Sequence, residues 1–206
     1  MIITEIDNCK KNKDRVNIYV DGEFAFALYL ETVLQAGLGV GMDIGSLDMS
    51  KIAGEDERKY AMDAALNFLS YQMRSKKEVR DKLKLKNVSE KTAEYAIQKL
   101  EEMGYLDDRK YAAIFTEELK ERMGKRGIRQ KLYEKGIENE IIKETLDSLG
   151  DFAAILRPQA EKLFQKYGDP NTFKTRQKVI RTLLGRGFDL DEIKSAVTGT
   201  IEEDSQ

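Results

Sequence analysis

Residues 79–88 read VRDKLKLKNV, residues 128–137 read IRQKLYEKGI, and residues 179–188 read VIRTLLGRGF. The three stretches share one frame. An apolar residue opens each (Val79, Ile128, Val179) and a leucine follows four positions on (Leu83, Leu132, Leu183). Then come a basic residue (Lys86, Lys135, Arg186), a turn residue (Asn87, Gly136, Gly187) and an apolar staple (Val88, Ile137, Phe188). Ile97, Leu146 and Val197 close the sets at equal distance, so the sets recur at offsets of 49 and 51 residues. Apolar residues four apart share one face of a helix. Gly and Asn tolerate the left-handed backbone that ends one. Each set therefore predicts a basic helix, a tight turn and an amphipathic helix, with caps at Ser89 and Asp189.

A further helix precedes each set. The first is expected over 57–73, with Ala61, Ala64, Ala65, Phe68 and Leu69 on one face. The second follows Asp107-Asp108 and carries Tyr111, Ala112, Phe115 and Leu119. The third carries Ala160, Leu163, Phe164 and Tyr167 and should be started or kinked by Pro158. Gly168, Asp169 and Pro170 read in order as a helix stop, an N-cap and a first-turn proline. Three helices in roughly 50 residues, three times over, make a repeat whose members bury apolar surface by stacking.

Residues 1–54 follow another period. Ile2, Ile3 and Ile6 open an apolar run, and 8–14 is a polar, lysine-rich turn. Val16, Ile18 and Val20 alternate with polar residues, Asp21-Gly22 is a hairpin signal, and Phe24, Phe26 and Leu28 fall on one face of a third strand. A short helix is expected over 31–36, ended by Gly37. A sheet this small should pack on its neighbour. The fold class is mostly α: three tandem three-helix repeats forming an elongated array, with a small N-terminal antiparallel β-sheet extension. The expected divisions are 1–54, 55–106, 107–150 and 151–198, with 199–206 an acidic, disordered tail.

Composition narrows the function. The 206 residues include no histidine and one cysteine, Cys9, which removes the commonest general base, the usual zinc ligand sets and any internal disulfide. The run Gly37, Gly39, Gly41 lacks the lysine of a phosphate loop and reads as a turn. Asp107-Asp108 and Asp189/Asp191 are the only candidate paired catalytic carboxylates, and acids at helix starts serve as caps. The chain reads as a non-enzyme without metal or cofactor. It carries no span-length apolar run and no signal peptide, so a cytoplasmic, reducing location and no membrane partner are expected.

The net charge is −2, yet it is unevenly placed. Arg74 to Lys86 holds seven basic and two acidic residues, Lys120 to Lys135 seven and two, and Lys174 to Gly187 five and none, a net +5 in each window. The acid lies on flanking helices, as in Glu55-Asp56-Glu57 and Glu101-Glu102. Three equivalent basic helices suit an extended polyanion or an acidic groove. The contact candidates are Arg74, Lys76, Lys77, Arg80, Lys84, Arg122, Lys125, Arg126, Arg129, Arg176, Arg181 and Arg186. Tyr133 is the exception to a scarcity of aromatic residues in these helices, which argues against binding by base stacking alone. An autonomous helix-turn-helix DNA-binding protein is the alternative, set against by the low pI of about 5.6.

Gly104-Tyr105-Leu106-Asp107-Asp108, followed by Tyr111-Ala112, resembles the signature of the RecX family of recombination regulators. The Arg74-Ser75 step into Glu78, Arg80 and Leu83, and the Lys135-Gly136-Ile137 turn, match further, and the resemblance covers about residues 57–200. Read as residues, the same motif is a fold signature. Gly104 ends a helix, Tyr105 and Leu106 fill the core, and Asp107 or Asp108 caps the next helix. The resemblance implies a curved, elongated molecule that binds the groove of a RecA filament on single-stranded DNA. It implies restraint of strand exchange, ATP hydrolysis and coprotease activity in recombination, DNA repair and the SOS response, with free single-stranded DNA bound weakly or only through the filament. A monomer is expected, since a repeat array caps itself with atypical end units.

Overall fold

The computed structural model describes residues 1–10, 12–150 and 152–203. The chain divides into two compact units. Unit 1 comprises 1–72 and 79–105, and unit 2 comprises 73–78 and 106–206.

Unit 1 begins with strands β1 (Ile3–Asn8), β2 (Arg15–Val20) and β3 (Glu23–Tyr29), antiparallel and in sequence order across the sheet. Asp21 and Gly22 both take positive φ, +50° and +88°, which is the geometry a two-residue hairpin needs to match strand twist. A bulge interrupts the face expected of β3. Ile18 pairs with Phe26 but Tyr19 pairs with Phe24, so Ala25 is extra and Phe24 turns to the opposite face. There its ring meets Tyr19 edge-on at 6.0 Å and stays exposed.

Helix α1 (Leu30–Gln35) ends at Gly37, φ +64°. Helix α2 (Met49–Leu69) starts eight residues before the expected 57, capped by the Asp48 carboxylate, and stops short of Met73. That early turn is what joins the sheet to the helices. Ile3, Val16, Ile18, Leu28, Val33, Leu38 and Ile44 form a core on which Met49 and Ile52 pack. Asp56, 3% exposed, accepts from the Tyr29 N–H at 2.7 Å and from the Arg15 guanidinium at 3.2 Å. Helix α3 (Lys76–Leu85) and α4 (Glu90–Glu102) follow, joined through Asn87 at φ +59°. Ser89 caps α4, and the Glu57 carboxylate accepts from the Ser89 N–H and hydroxyl.

Unit 2 contains the start of α3 and six more helices: α5 (Asp108–Lys120), α6 (Lys125–Glu134), α7 (Asn139–Asp147), α8 (Ala153–Tyr167), α9 (Phe173–Gly185) and α10 (Leu190–Glu203). The repeat frame recurs in space: Ile128, Leu132, Ile137, Ile142 and Leu146 join Val179, Leu183, Phe188, Ile193 and Val197 in one core. Burying a leucine or phenylalanine contributes roughly 1.5–3 kcal/mol, so this core dominates the unit's stability. Gly136 and Gly187 hold their turns at φ +75° and +83°.

Several local expectations change. Pro158 lies inside α8, which begins at Ala153. Asp169 does not cap α9; its carboxylate accepts from the Asn171 N–H, and the helix starts at Phe173. Tyr105 is exposed, while Leu106 is buried. Helix α10 continues past Thr198 to Glu203, and residues 204–206 of the expected tail lie outside the described residues.

Candidate polyanion interface

The second helices of successive repeats meet end to end in unit 2. At the close of α9, the Arg186 and Gly187 carbonyls accept from the Gly124 and Arg126 N–H groups at the start of α6, both at 3.1 Å. At the close of α6, the Lys135 carbonyl accepts from the Ser75 hydroxyl at 2.7 Å, and Lys77 Nζ donates to the Glu134 carbonyl at 2.8 Å at the start of α3. Helix ends carry amides and carbonyls without intrahelical partners, and these junctions satisfy them. The first junction leaves no room for a side chain: a Cβ on Gly124 would lie 2.4 Å from Phe188 Cα, and one on Gly187 2.0 Å from Gly127 N.

A polar network surrounds the start of α3. Ser75 and Glu78 form a reciprocal capping box, with the Ser75 hydroxyl accepting from the Glu78 N–H and the carboxylate accepting from the Ser75 N–H. Glu78 also takes Lys135 Nζ at 2.6 Å and lies near Arg74. Burial works against the charge on Glu78. The Lys135 ammonium, the Ser75 N–H and Arg74 outweigh it and hold its carboxyl below the usual range. Burial and then Glu78 push the Tyr111 hydroxyl up. Asp107 caps α5, accepting from the Arg109 and Lys110 N–H groups. Asp108, 6% exposed, accepts from the Lys76 N–H at 3.0 Å and so serves a helix 32 residues earlier. The two acids have distinct structural tasks.

These contacts sort the twelve basic candidates. Arg74 lies in the network, and Lys76 and Lys77 sit at the α3 start. Arg80 forks onto Glu94 at 2.5 and 3.1 Å. Lys125 donates to the Leu149 carbonyl, Arg176 to the Pro170 and Asn171 carbonyls, and Arg186 to Gln159 Oε1 at 2.7 Å. Lys84, Arg122, Arg126, Arg129 and Arg181 are exposed, with no side-chain partner among the described residues. Positions basic in all three repeats are 76/125/176 and 86/135/186, and in repeats two and three both are spent on contacts within the fold. The free charge is concentrated elsewhere. Arg126, Arg129 and Tyr133 stand at i, i+3 and i+7 on α6, one exposed face, with Arg122 just before the helix. Tyr133 is 63% exposed. Arginine forks and an open ring suit phosphate or carboxylate beside a planar group. Two partners of the network were missed in the sequence, the reach of Asp108 to Lys76 and of Lys135 to Glu78, since neither has a local signal.

Among the described residues no group of three or more His, Cys, Asp or Glu could hold a metal ion, and no helix is long and apolar enough to cross a membrane.

An N-terminal three-stranded sheet followed by three three-helix units, with arginines displayed on a middle helix, defines a helical-repeat protein. Four family models match in order: "Regulatory protein RecX N-terminal domain" over 1–45, and the first, second and third RecX three-helix domains over 61–100, 107–146 and 151–197. The chain belongs to the RecX family of regulatory proteins. It is 34% identical to a regulatory protein RecX of Bacillus licheniformis, over 96% of this chain and 77% of the relative. It is 32% identical to one of Clostridium botulinum, over 97% and 96%. A crystal structure of a regulatory protein RecX matches with a TM-score of 0.67 and 31% identity, over 94% of this chain and 98% of that one. The crystal structure of RecX from Lactobacillus salivarius matches with 0.64 and 29%, over 70% and 97%.

Proposed function

We propose that this chain regulates recombination and DNA repair by binding a RecA-type recombinase filament on single-stranded DNA, and that it chiefly inhibits strand exchange, ATP hydrolysis and coprotease activity. Family membership supports the class of partner. The observation that carries the reading is the α6 face, where Arg122, Arg126 and Arg129 are exposed beside Tyr133 without acidic partners. A filament offers phosphate and protein carboxylate along one surface, and a chain of net charge −2 gains little from duplex DNA alone. The protein acts by contact, without catalysis, in the cytoplasm, where Cys9 stays reduced.

The test is titration of the full chain into the DNA-dependent ATPase and strand-exchange reactions of the recombinase from the same organism. Inhibition well below one chain per recombinase subunit is the expected result. The triple variant Arg122→Glu, Arg126→Glu, Arg129→Glu should need at least about tenfold more protein, with far-UV dichroism unchanged. No effect of the wild-type chain at stoichiometric excess would overturn the function, and full inhibition by the triple variant would overturn the face. Tight, sequence-selective binding of free duplex in the same series would favour an autonomous DNA-binding role.

A further inference from the structure

Unit 1 contains a cleft that no contact described above explains. Its floor is one stripe of α2: Tyr60, Asp63, Ala64, Asn67 and Phe68, continued by Tyr71 in the turn after the helix. These positions recur at three- and four-residue intervals, so they share a face. Asn12 and Asp14, from the turn between β1 and β2, form one wall, and Lys82 and Lys86, four apart on and just past α3, form the other. The cavity measures about 410 Å³. A second, of about 810 Å³, adjoins it and shares Asn12, Tyr60 and Lys86. Both volumes are of the size that holds a small planar ligand.

The chemistry of the lining is specific. Ala64 is small, and aromatic rings flank it one helical turn to either side, Tyr60 and Phe68. Tyr71 is 85% exposed, so both faces of its ring are open to a planar group. Most of the acids of the cleft are already engaged. Asp63 lies by the Tyr29 hydroxyl, which burial and then this carboxylate push up, Asp56 takes Arg15 and the Tyr29 N–H, and Glu57 takes Ser89 and Thr92. Asp14 stands exposed at the rim. The ammonium groups have no such acid partners. Lys82 lies 5.3 Å over the Phe68 ring and Lys86 projects into solvent. The Asn67 side-chain amide is exposed and without a partner among the described residues. The open Tyr71 ring, an unpaired amide and two ammonium groups without acid partners are the complement of a nucleotide: a planar base, a hydrogen-bonding edge and a phosphate.

We infer that this cleft is a nucleotide-binding site, in which a base stacks on Tyr71 while Lys82 and Lys86 meet its phosphate. The adjoining second cavity gives the neighbouring residue of a single strand a place to continue. The inference rests on unit 1 alone and does not depend on the filament reading.

The chain has no tryptophan, so tyrosine emission reports stacking directly. The experiment follows that emission, and the anisotropy of a short fluorescein-labelled oligothymidylate, as the full-length protein is titrated, with thymidine monophosphate as the free-nucleotide arm. Wild type should show quenching on binding. Tyr71→Ala should weaken binding about fivefold or more, the scale of one lost base–aromatic stack. Lys82→Gln with Lys86→Gln should lower the salt slope by about one to one and a half. The Arg126→Glu, Arg129→Glu variant, altered in unit 2, should keep the quenching. Competition by the monophosphate at equal strength assigns a free nucleotide as the ligand, and binding of the oligonucleotide alone assigns the strand; either supports the site. Binding lost in the arginine variant but unchanged in the folded cleft variants would overturn it, as would the absence of binding by both probes.

Discussion

Glu78 accepts from its own capping partner Ser75 and from Lys135, and it stands beside Arg74 and Tyr111. Replacing it by glutamine keeps the shape and removes the charge, which leaves two cations facing a neutral amide. The expected cost is about 2 kcal/mol at neutral pH, the scale of a charge-assisted hydrogen bond with a part-buried partner. Its pH dependence has a definite sign. The folded carboxyl titrates below its unfolded value, so the contribution is complete above the ordinary glutamate pKa of about 4.3 and disappears as pH falls through the lower folded value. Urea unfolding of wild type and Glu78→Gln across that range should therefore converge in acid; a constant gap would remove the ionic explanation. Ser75 and Glu78 have capping-box spacing, a local signal that the sequence reading passed over in matching them to a family pattern, and Lys135 and Asp108 are brought to this helix start by tertiary packing, which no local pattern encodes.

Among the elements, the turns were read most accurately, because Asn87, Gly136 and Gly187 answer a backbone requirement that only a few residues meet. Helix starts were read less well. Asp48 caps α2, but Gly54 in its second turn weakens the helical signal before 57. Asp169 and Pro170 mimic a helix start, yet Asp169 closes its own turn on Asn171, and α9 begins two residues later. On β3, one inserted residue, Ala25, defeats the alternation that assigned Phe24 to the inner face. The glycines separate these effects experimentally. Gly187→Ala places a Cβ against the Gly127 backbone at a positive φ and should cost more than about 2 kcal/mol. Gly185→Ala, in the last turn of α9 with nothing within 4 Å, should stabilise by about 0.5–1 kcal/mol. Thermal melts of the two proteins should thus shift in opposite directions, and a shared direction would contradict the junction geometry.

At the scale of the whole chain, the repeat was plain in the sequence and the division of charge was only partly so. Three basic windows read as one stripe, but a basic residue beside a turn has a second use, the oxygens of the fold itself. Lys125 and Arg176 are taken by backbone carbonyls and Arg186 by the Gln159 side-chain oxygen, whereas Arg126 and Arg129, which fall between the recurring basic positions, stay open. Sequence periodicity reports what recurs, and what recurs most strictly here is the packing. If Arg122, Arg126 and Arg129 each meet a phosphate, their joint replacement by glutamine should flatten the salt dependence of single-strand or filament binding by about two units. An unchanged slope in a folded variant would remove these three from the contact. The end-to-end junctions of α9, α6 and α3 carry a consequence for such binding. A free helix start presents roughly half a positive elementary charge and a fan of amides, a ready anion site. At Gly124 and Ser75 the start is met by the closing carbonyls of another helix, and the opposed ends of the two macrodipoles neutralise each other. An approaching phosphate finds no backbone cradle there, only the arginine side chains, so attraction for polyanions at this surface can be raised or lowered one substitution at a time without disturbing the scaffold.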